Sequence, residues 1–157
     1  MKVKLIVVGK TKKSFLTEGE KEYQKRLTRY LNLELIEIPD VKNAKKRTEE
    51  EIKREESKAI LSKLATTDYV SLLDEKGREF TSVKFAKHLE RHFIHGARTL
   101  VFVIGGPYGF HKDVYDRANE KIALSKMTFS HQMVRLFFVE QLYRAMTILK
   151  GEPYHHQ

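Results

Sequence analysis

The turn GGPYGF, residues 105–110, sits between a continuously apolar run and a segment of helical period. Proteins that bind nucleotides often present a ligand on such a strand–turn–helix junction. Its spacing excludes the two commonest ligand signatures. A dinucleotide fingerprint needs glycine two places after the first, where Pro107 stands, and a P-loop needs Gly-Lys-Ser/Thr where Phe110-His111-Lys112 follows. Gly105 and Gly106 then either supply backbone angles that a Cβ resists or mark a ligand site, and the turn alone does not decide. His88, His92 and His95 have a spacing found in helical metal sites. On a helical wheel they lie opposite Ala86, Leu89 and Phe93, no carboxylate ligand joins them, and the zincin pattern would place Glu directly after the first histidine. They read as a solvent-facing trio, and no metal is expected. Glu140 and Arg144 are four apart in the order that favours a helical ion pair, which is a structural role before it is a chemical one. His111 and His131 read as caps or core polar groups. The chain has no cysteine, which removes disulfides, thiolate metal sites and covalent catalysis by a cysteine nucleophile.

These residues need a scaffold. Apolar runs starting at Val3, Leu33, Tyr69 and Leu100, with a short one at 126–129, read as strands, each followed by a stretch of helical period. The alternation predicts an α/β layered domain with a mostly parallel sheet of five or six strands flanked by helices. The first helix carries Leu16, Tyr23, Leu27 and Tyr30 on one face, with Ser14 as a candidate cap. The second has capping-box spacing at Thr48 and Glu51, and the third opens at Thr81 with Phe80 and Phe85 at hydrophobic-staple positions. The fourth carries Val114, Tyr115, Ala118 and Ile122. LVFVI, from Leu100, reads as a central strand covered on both faces. In open sheets of this kind ligands gather beyond the carboxyl ends of the strands. That rule brings together the loop after Leu72-Leu73, the turn at Gly105 and the segment Leu124 to Phe129. The last helix is apolar around most of its circumference, so it needs cover on more than one side, and a second subunit would supply it.

At 157 residues the chain is of single-domain length, with residues 1–157 taken as one unit. The formal charge of +9 is spread along the chain rather than held in a tail, which favours a polyanionic partner bound by the folded domain. Lys10, Lys12, Lys13 and Arg135 are candidate phosphate contacts. No apolar run reaches transmembrane length, and the apolar stretch near the start is too short for a signal peptide, so no membrane partner and a cytoplasmic location are expected.

The stretches VFVIGGPYGFHKDV, LSKMTFSHQMVRLFFVEQLYRA and PYH, together with VGK near the start and LDEKG, resemble the small SPOUT-class methyltransferases that modify N3 of a pseudouridine in 23S ribosomal RNA. The resemblance covers essentially the whole chain. It implies a homodimer, a trefoil knot in the C-terminal half, S-adenosylmethionine as methyl donor, and a target within the assembled ribosome. Carried over by motif, Leu73, Gly105, Leu124, Ser125, Lys126, Met127, Thr128 and Phe129 line the donor pocket. The same motifs imply a catalytic zone of Glu140, Arg144 and His155, with His155 as base or relay, Arg144 stabilising a developing anion and Glu140 orienting Arg144. Tyr154 stacks or clamps the RNA, beside Arg135. The donor has no phosphate, so the turn at Gly105 needs no phosphate signature. Methyl transfer to a ring nitrogen asks for proton removal and in-line positioning and not for a cysteine, which agrees with a cysteine-free chain. Where members of the family often end in a basic residue after YH, this chain has His156-Gln157. Two other readings are a non-catalytic ribosome-associated RNA-binding factor and a flavodoxin-like phosphate-binding domain, the latter disfavoured by the failed phosphate signatures.

Overall fold

The computed structural model describes residues 2–96 and 98–156; Gln157, part of the tail read above, lies outside them. Five strands form one sheet: β1 (Lys2–Val8), β2 (Asn32–Ile38), β3 (Tyr69–Glu79), β4 (Leu100–Ile104) and β5 (Glu120–Ala123). All neighbours pair in parallel, in the order β2-β1-β4-β3-β5. Helices α1 (Ser14–Leu27), α3 (Ser82–His95) and α5 (Met133–Leu149) cover one face, while α2 (Glu49–Ser62) and α4 (Lys112–Arg117) cover the other.

Strand periodicity divides the core. Val3, Leu5 and Val7 of β1, with Leu100, Phe102 and Ile104 of β4, face Leu27, Leu89, Phe138 and Leu142 of the three-helix side. Ile6, Val8, Val101 and Val103 face Ile60, Phe110 and Val114. All five residues of β4 are buried, as its continuously apolar sequence requires of a strand covered twice.

Local signals set the helix starts. Thr48 accepts a hydrogen bond from the Glu51 N–H at 3.1 Å, and Thr81 accepts one from the Lys84 N–H at 3.2 Å. Phe80 and Phe85 meet at 6.3 Å between ring centroids, closing the expected staple. Ser14 is not a cap: it is the first helical residue, and Lys13 stands in the cap position without a side-chain hydrogen bond.

Two element boundaries differ from the sequence reading. The fifth strand is Glu120–Ala123, not 126–129, and α4 stops at Arg117, so Ile122 belongs to the sheet and not to the helix. Asn119 explains both. Its N–H donates to the Val70 carbonyl at 2.8 Å and its side-chain oxygen accepts the Val70 N–H at 2.8 Å. This two-way contact pulls the chain out of helical geometry and onto the edge of β3. Beyond Leu73, β3 continues as Asp74–Glu79, and Ile122 pairs with both Leu73 and Arg78 across the resulting irregularity.

α5 behaves as its composition demands. Phe138, Val139, Leu142, Ala145 and Met146 are buried against α1, α3 and the sheet, while Met133 and Phe137 on the outward side each remain 39% exposed. No helix among the described residues is long and apolar enough to cross a membrane.

Candidate functional site

The carboxyl ends of β3, β4 and β5 open into a cleft of about 560 Å³. Its walls come from the extension of β3 (Leu73, Asp74, Glu75), the turn after β4 (Gly105 to Phe110), Tyr115 of α4, the segment after β5, and His131 and Val134 at the start of α5. Of the expected donor-pocket residues, Leu73, Gly105, Leu124, Ser125, Met127, Thr128 and Phe129 all lie on this wall. Lys126 is the exception, since its side chain is 87% exposed and lies 3.9 Å from Glu79 on the outside of the loop.

The need for glycine at 105 and 106 is one of space and not of backbone angle, because the left-handed φ of this turn falls on Gly109 at 82°. A Cβ on Gly105 would sit 3.1 Å from the Phe110 ring, and one on Gly106 would sit 2.8 Å from the Glu56 carboxylate. The turn therefore packs closely between the aromatic wall of the cleft and a buried acid. Glu56 has one oxygen without a hydrogen-bond partner, and burial, reinforced by the charge of Asp40, pushes its pKa up to about 7.

Side-chain ties hold the loop of 124–129 over the cleft. Thr128 donates to Glu75 and Tyr115 donates to Asp74, linking the segment after β5 and helix α4 to the extension of β3. Burial and the Asp74 hydrogen bond hold the Tyr115 phenol well above its ordinary pKa, so it stays a donor. His131 is kept below its usual range by burial and by the nearby Arg135 charge, leaving a neutral imidazole on the wall. Asp74, Glu75, Tyr115 and His131 were not among the individual residues expected there, although the loop after Leu72-Leu73 was. LDEKG and the segment SHQ contained the signal for three of them, while Tyr115 was absorbed into a helix face.

The expected catalytic residues form a second cluster. Arg144 donates from Nε and Nη2 to Glu140 Oε1 at 3.1 and 2.6 Å, and its Nη1 lies 3.1 Å from His155 Nδ1. Since guanidinium only donates, His155 Nδ1 accepts here and the ring proton sits on Nε2. Tyr154 donates to Glu140 Oε1 at 3.0 Å, its ring lies 4.8 Å from the guanidinium carbon, and Tyr23 meets its hydroxyl at 3.2 Å. Gln141 donates to the other Glu140 oxygen at 3.1 Å. Glu140 is thus saturated and serves to orient, whereas Arg144 retains unused N–H donors. Burial and the hydrogen bonds of Tyr23 and Glu140 keep the Tyr154 phenol far above its usual pKa.

The two clusters are separate within one chain. Val134 lines the cleft and Arg144 lies ten residues further along α5, about 15 Å at the helical rise. Met133, Phe137, Glu140 and Arg144 nevertheless follow a spacing of four, three and four, so they share one outward face of the helix.

Arg135 is corrected by the structure. It is 1% exposed, and its guanidinium is turned inward to the carbonyls of Val8 at 2.5 Å and Gly9 at 2.7 Å and to the Thr11 hydroxyl at 3.2 Å. It caps the carboxyl end of β1 by donating to the last carbonyls there, and its guanidinium is turned away from solvent. Lys10, Lys12 and Lys13 are exposed beside it. Their loop is pinned to the start of α5 by Gln132, which accepts from the Lys12 N–H at 2.9 Å and donates to the Lys10 carbonyl at 3.2 Å.

The histidine trio is corrected as well. His88 is buried, packed 4.9 Å from the Phe80 ring, and its Nε2 lies 3.0 Å from Glu120 of β5. His92 is half-buried, 4.2 Å from the Tyr69 ring, and only His95 faces solvent. A carboxylate does join the pair, delivered by a strand remote in sequence. Burial raises the Glu120 carboxyl, but the His88 hydrogen bond and charge outweigh it and hold it below its ordinary range.

Comparison with known proteins identifies the family. A family model described as "Predicted SPOUT methyltransferase" matches residues 1–155. A protein of Parabacteroides distasonis named "Ribosomal RNA large subunit methyltransferase H" is 55% identical over 157 residues, covering all of both chains. Proteins of the same name from Cytophaga hutchinsonii and Porphyromonas gingivalis are 55% identical over 99% of this chain and 49% identical over 100% of it, and both are covered in full. The parallel sheet, the cleft at its carboxyl edge and the match along nearly the whole length agree, and the chain belongs to the SPOUT methyltransferase family.

Proposed function

We propose that this protein is a homodimeric, S-adenosylmethionine-dependent methyltransferase that methylates N3 of a pseudouridine in 23S ribosomal RNA on the assembled ribosome, in the cytoplasm. The observation that carries this reading is the separation of two half-sites on one chain: a cleft at the start of α5, and a polar cluster of Glu140, Arg144, Tyr154 and His155 further along its outward face. An isologous two-fold axis crossing α5 near Phe137 would bring each polar cluster beside the partner's cleft and cover Met133 and Phe137. The trefoil threading belongs to the same proposal, supported by the family and by β3 pairing with β5 on both sides of the Asp74–Gly77 extension.

The cleft fits the donor. Its volume falls within the range of about 300–1,000 Å³ usual for small-molecule sites. Ile104, Phe110, Ile122, Leu124 and Val134 offer apolar walls for adenine, and the carboxylates of Asp74 and Glu75 suit a positively charged ligand better than a phosphate. Bound there, S-adenosylmethionine would supply an electrophilic methyl group on its sulfonium. Backbone groups of the glycine turn and of Leu124 to Thr128 read the adenosine, and Phe129 with Val134 limits water.

The polar cluster handles the proton. Arg144, held by Glu140, directs its remaining N–H donors at a pyrimidine carbonyl and stabilises the anion formed when N3 loses its proton. His155 accepts that proton at Nδ1 as the substrate's N3–H takes the place of the Arg144 donor. Tyr154, fixed as a donor, holds Glu140 and stacks against Arg144. With Arg135 buried, Lys10, Lys12 and Lys13 on the cleft side take over the expected phosphate contact.

Calorimetry with S-adenosylmethionine, followed by methyl transfer to intact ribosomes and to naked ribosomal RNA, tests the proposal. Saturable binding and transfer to ribosomes, mapped to N3 of a pseudouridine, are expected. Ribosome binding without affinity for S-adenosylmethionine would overturn it in favour of a non-catalytic RNA-binding factor.

A further inference from the structure

His88 and His92 lie four residues apart on α3, and both turn toward the sheet, where Glu120 of β5 meets them. The nearest ligand atoms of the three side chains lie within 4.8 Å of one another. Two imidazoles and one carboxylate are the donor set of many zinc centres, and histidines at i and i+4 on a single helix face are a recurrent way of building them. The surroundings suit an ion as well. The ring of Phe80 lies 4.9 Å from His88 and that of Tyr69 lies 4.2 Å from His92, so the site is walled by aromatic groups. Ser71 is in register with Glu120 on β3, and its hydroxyl is buried beside that carboxylate. An entry path exists: a hollow of about 340 Å³ lined by Tyr69, His92 and Thr99 opens beside the cluster.

We propose that His88, His92 and Glu120 bind one divalent transition-metal ion of the zinc class, with a fourth position open to water from the neighbouring hollow. The site lies at the start of β5, about 13 Å along the strand from Leu124, so it is distinct from the methyl-donor cleft. Its consequence is structural. β5 is an edge strand, paired on one side only, and its end leads directly into the cleft loop. An ion shared between α3 and β5 anchors that edge from the helical layer. Binding exchanges the His88–Glu120 hydrogen bond for two metal–ligand bonds and adds His92, which has no hydrogen-bond tie to that pair.

The test uses the full chain, stripped with a chelator and titrated with Zn²⁺ by calorimetry and with Co²⁺ by visible absorption. His155→Ala/His156→Ala serves as background, so that tail histidines do not contribute. About one equivalent of metal should bind per chain, with the d–d bands of low-coordinate Co²⁺ and a raised melting temperature. His92→Gln, at a half-buried position, should weaken binding about tenfold or more while melting like the parent in chelator, and Glu120→Gln, which preserves shape but loses the charge facing His88, should weaken binding to a similar degree. Absence of stoichiometric binding would overturn the proposal. So would binding that survives His92→Gln unchanged, which would reduce the cluster to a structural His88–Glu120 ion pair.

Discussion

Gly77 offers a sharp test of how the sheet positions the cleft. It lies in the extension of β3, opposite the point where β5 pairs a second time, and a Cβ placed there would sit 2.6 Å from the Ile122 nitrogen and 2.6 Å from the Lys121 carbonyl carbon. Ordinary contact begins at 3.4 Å, so Gly77→Ala leaves a deficit of about 0.8 Å against backbone atoms that no side-chain rotation relieves. β5 must then separate from the extension of β3. Overpacking of this kind costs about 1–3 kcal/mol, and at about 2–4 °C per kcal/mol for a chain of this size the melting temperature should fall by about 2–12 °C. The functional effect should exceed the stability effect. Ile122 and Leu124 line the cleft, and the loop that follows is tied to Glu75 on the same extension, so a sub-ångström separation acts on the proposed donor site itself. A displacement approaching 1 Å can cost on the order of a hundredfold in rate, and a loss of that order in kcat/KM is expected at temperatures where the variant is fully folded. Thermal denaturation measures the first effect, and methyl-transfer kinetics, with calorimetry for donor affinity, measure the second. Wild-type melting together with wild-type donor affinity would refute the reasoning.

Two further outcomes follow from buried charges. Arg135→Met should destabilise by about 2–4 kcal/mol in urea denaturation, because the Val8 and Gly9 carbonyls lose their donor, while the salt dependence of ribosome binding stays unchanged; a normal fold with a shallower salt slope would restore the phosphate role. Glu56 titrates near pH 7 in the folded chain, well above its unfolded value, so the folded state holds a proton that the unfolded state releases. Its contribution is complete below about pH 4.5 and is lost as the pH rises through 7. Glu56→Gln, neutral throughout, should narrow the difference in unfolding free energy between pH 5 and pH 8 by about 1–3 kcal/mol in urea denaturation, whereas parallel pH profiles would contradict the assignment.

What the sequence made legible was local or strongly periodic. β4 announced itself by five consecutive apolar residues, α2 and α3 by threonine caps, and the cleft by the rule that ligands collect beyond the carboxyl ends of parallel strands. The polar cluster on α5 was legible because helical spacing alone puts Glu140 beside Arg144. The departures share one cause, a partner far away in the chain. β5 is only four residues long, and its place is set by Val70 and the extension of β3 rather than by its own composition. His88 turns inward because Glu120 meets it there, and Arg135 turns inward because β1 ends in carbonyls that need donors. Helical wheels rank faces by apolarity and cannot register such partners. At Gly105 the requirement was legible and its reason was not, since the demand is for volume beside Phe110 and not for a left-handed angle.

Mixing two inactive chains measures the central claim, that one protomer's cleft works with its neighbour's polar cluster. Gly105→Val, which fills the cleft beside Phe110, and His155→Ala, which removes the proposed proton acceptor, are each expected to be inactive as pure dimers. Reassorted in equal amounts, they should regain about a quarter of wild-type methyl transfer, because half of the dimers are mixed and each mixed dimer holds one intact composite site. Mixed dimers that form, as shown by differential tags, and stay inactive would place the cleft and the cluster of a working site on the same chain, and would contradict the account.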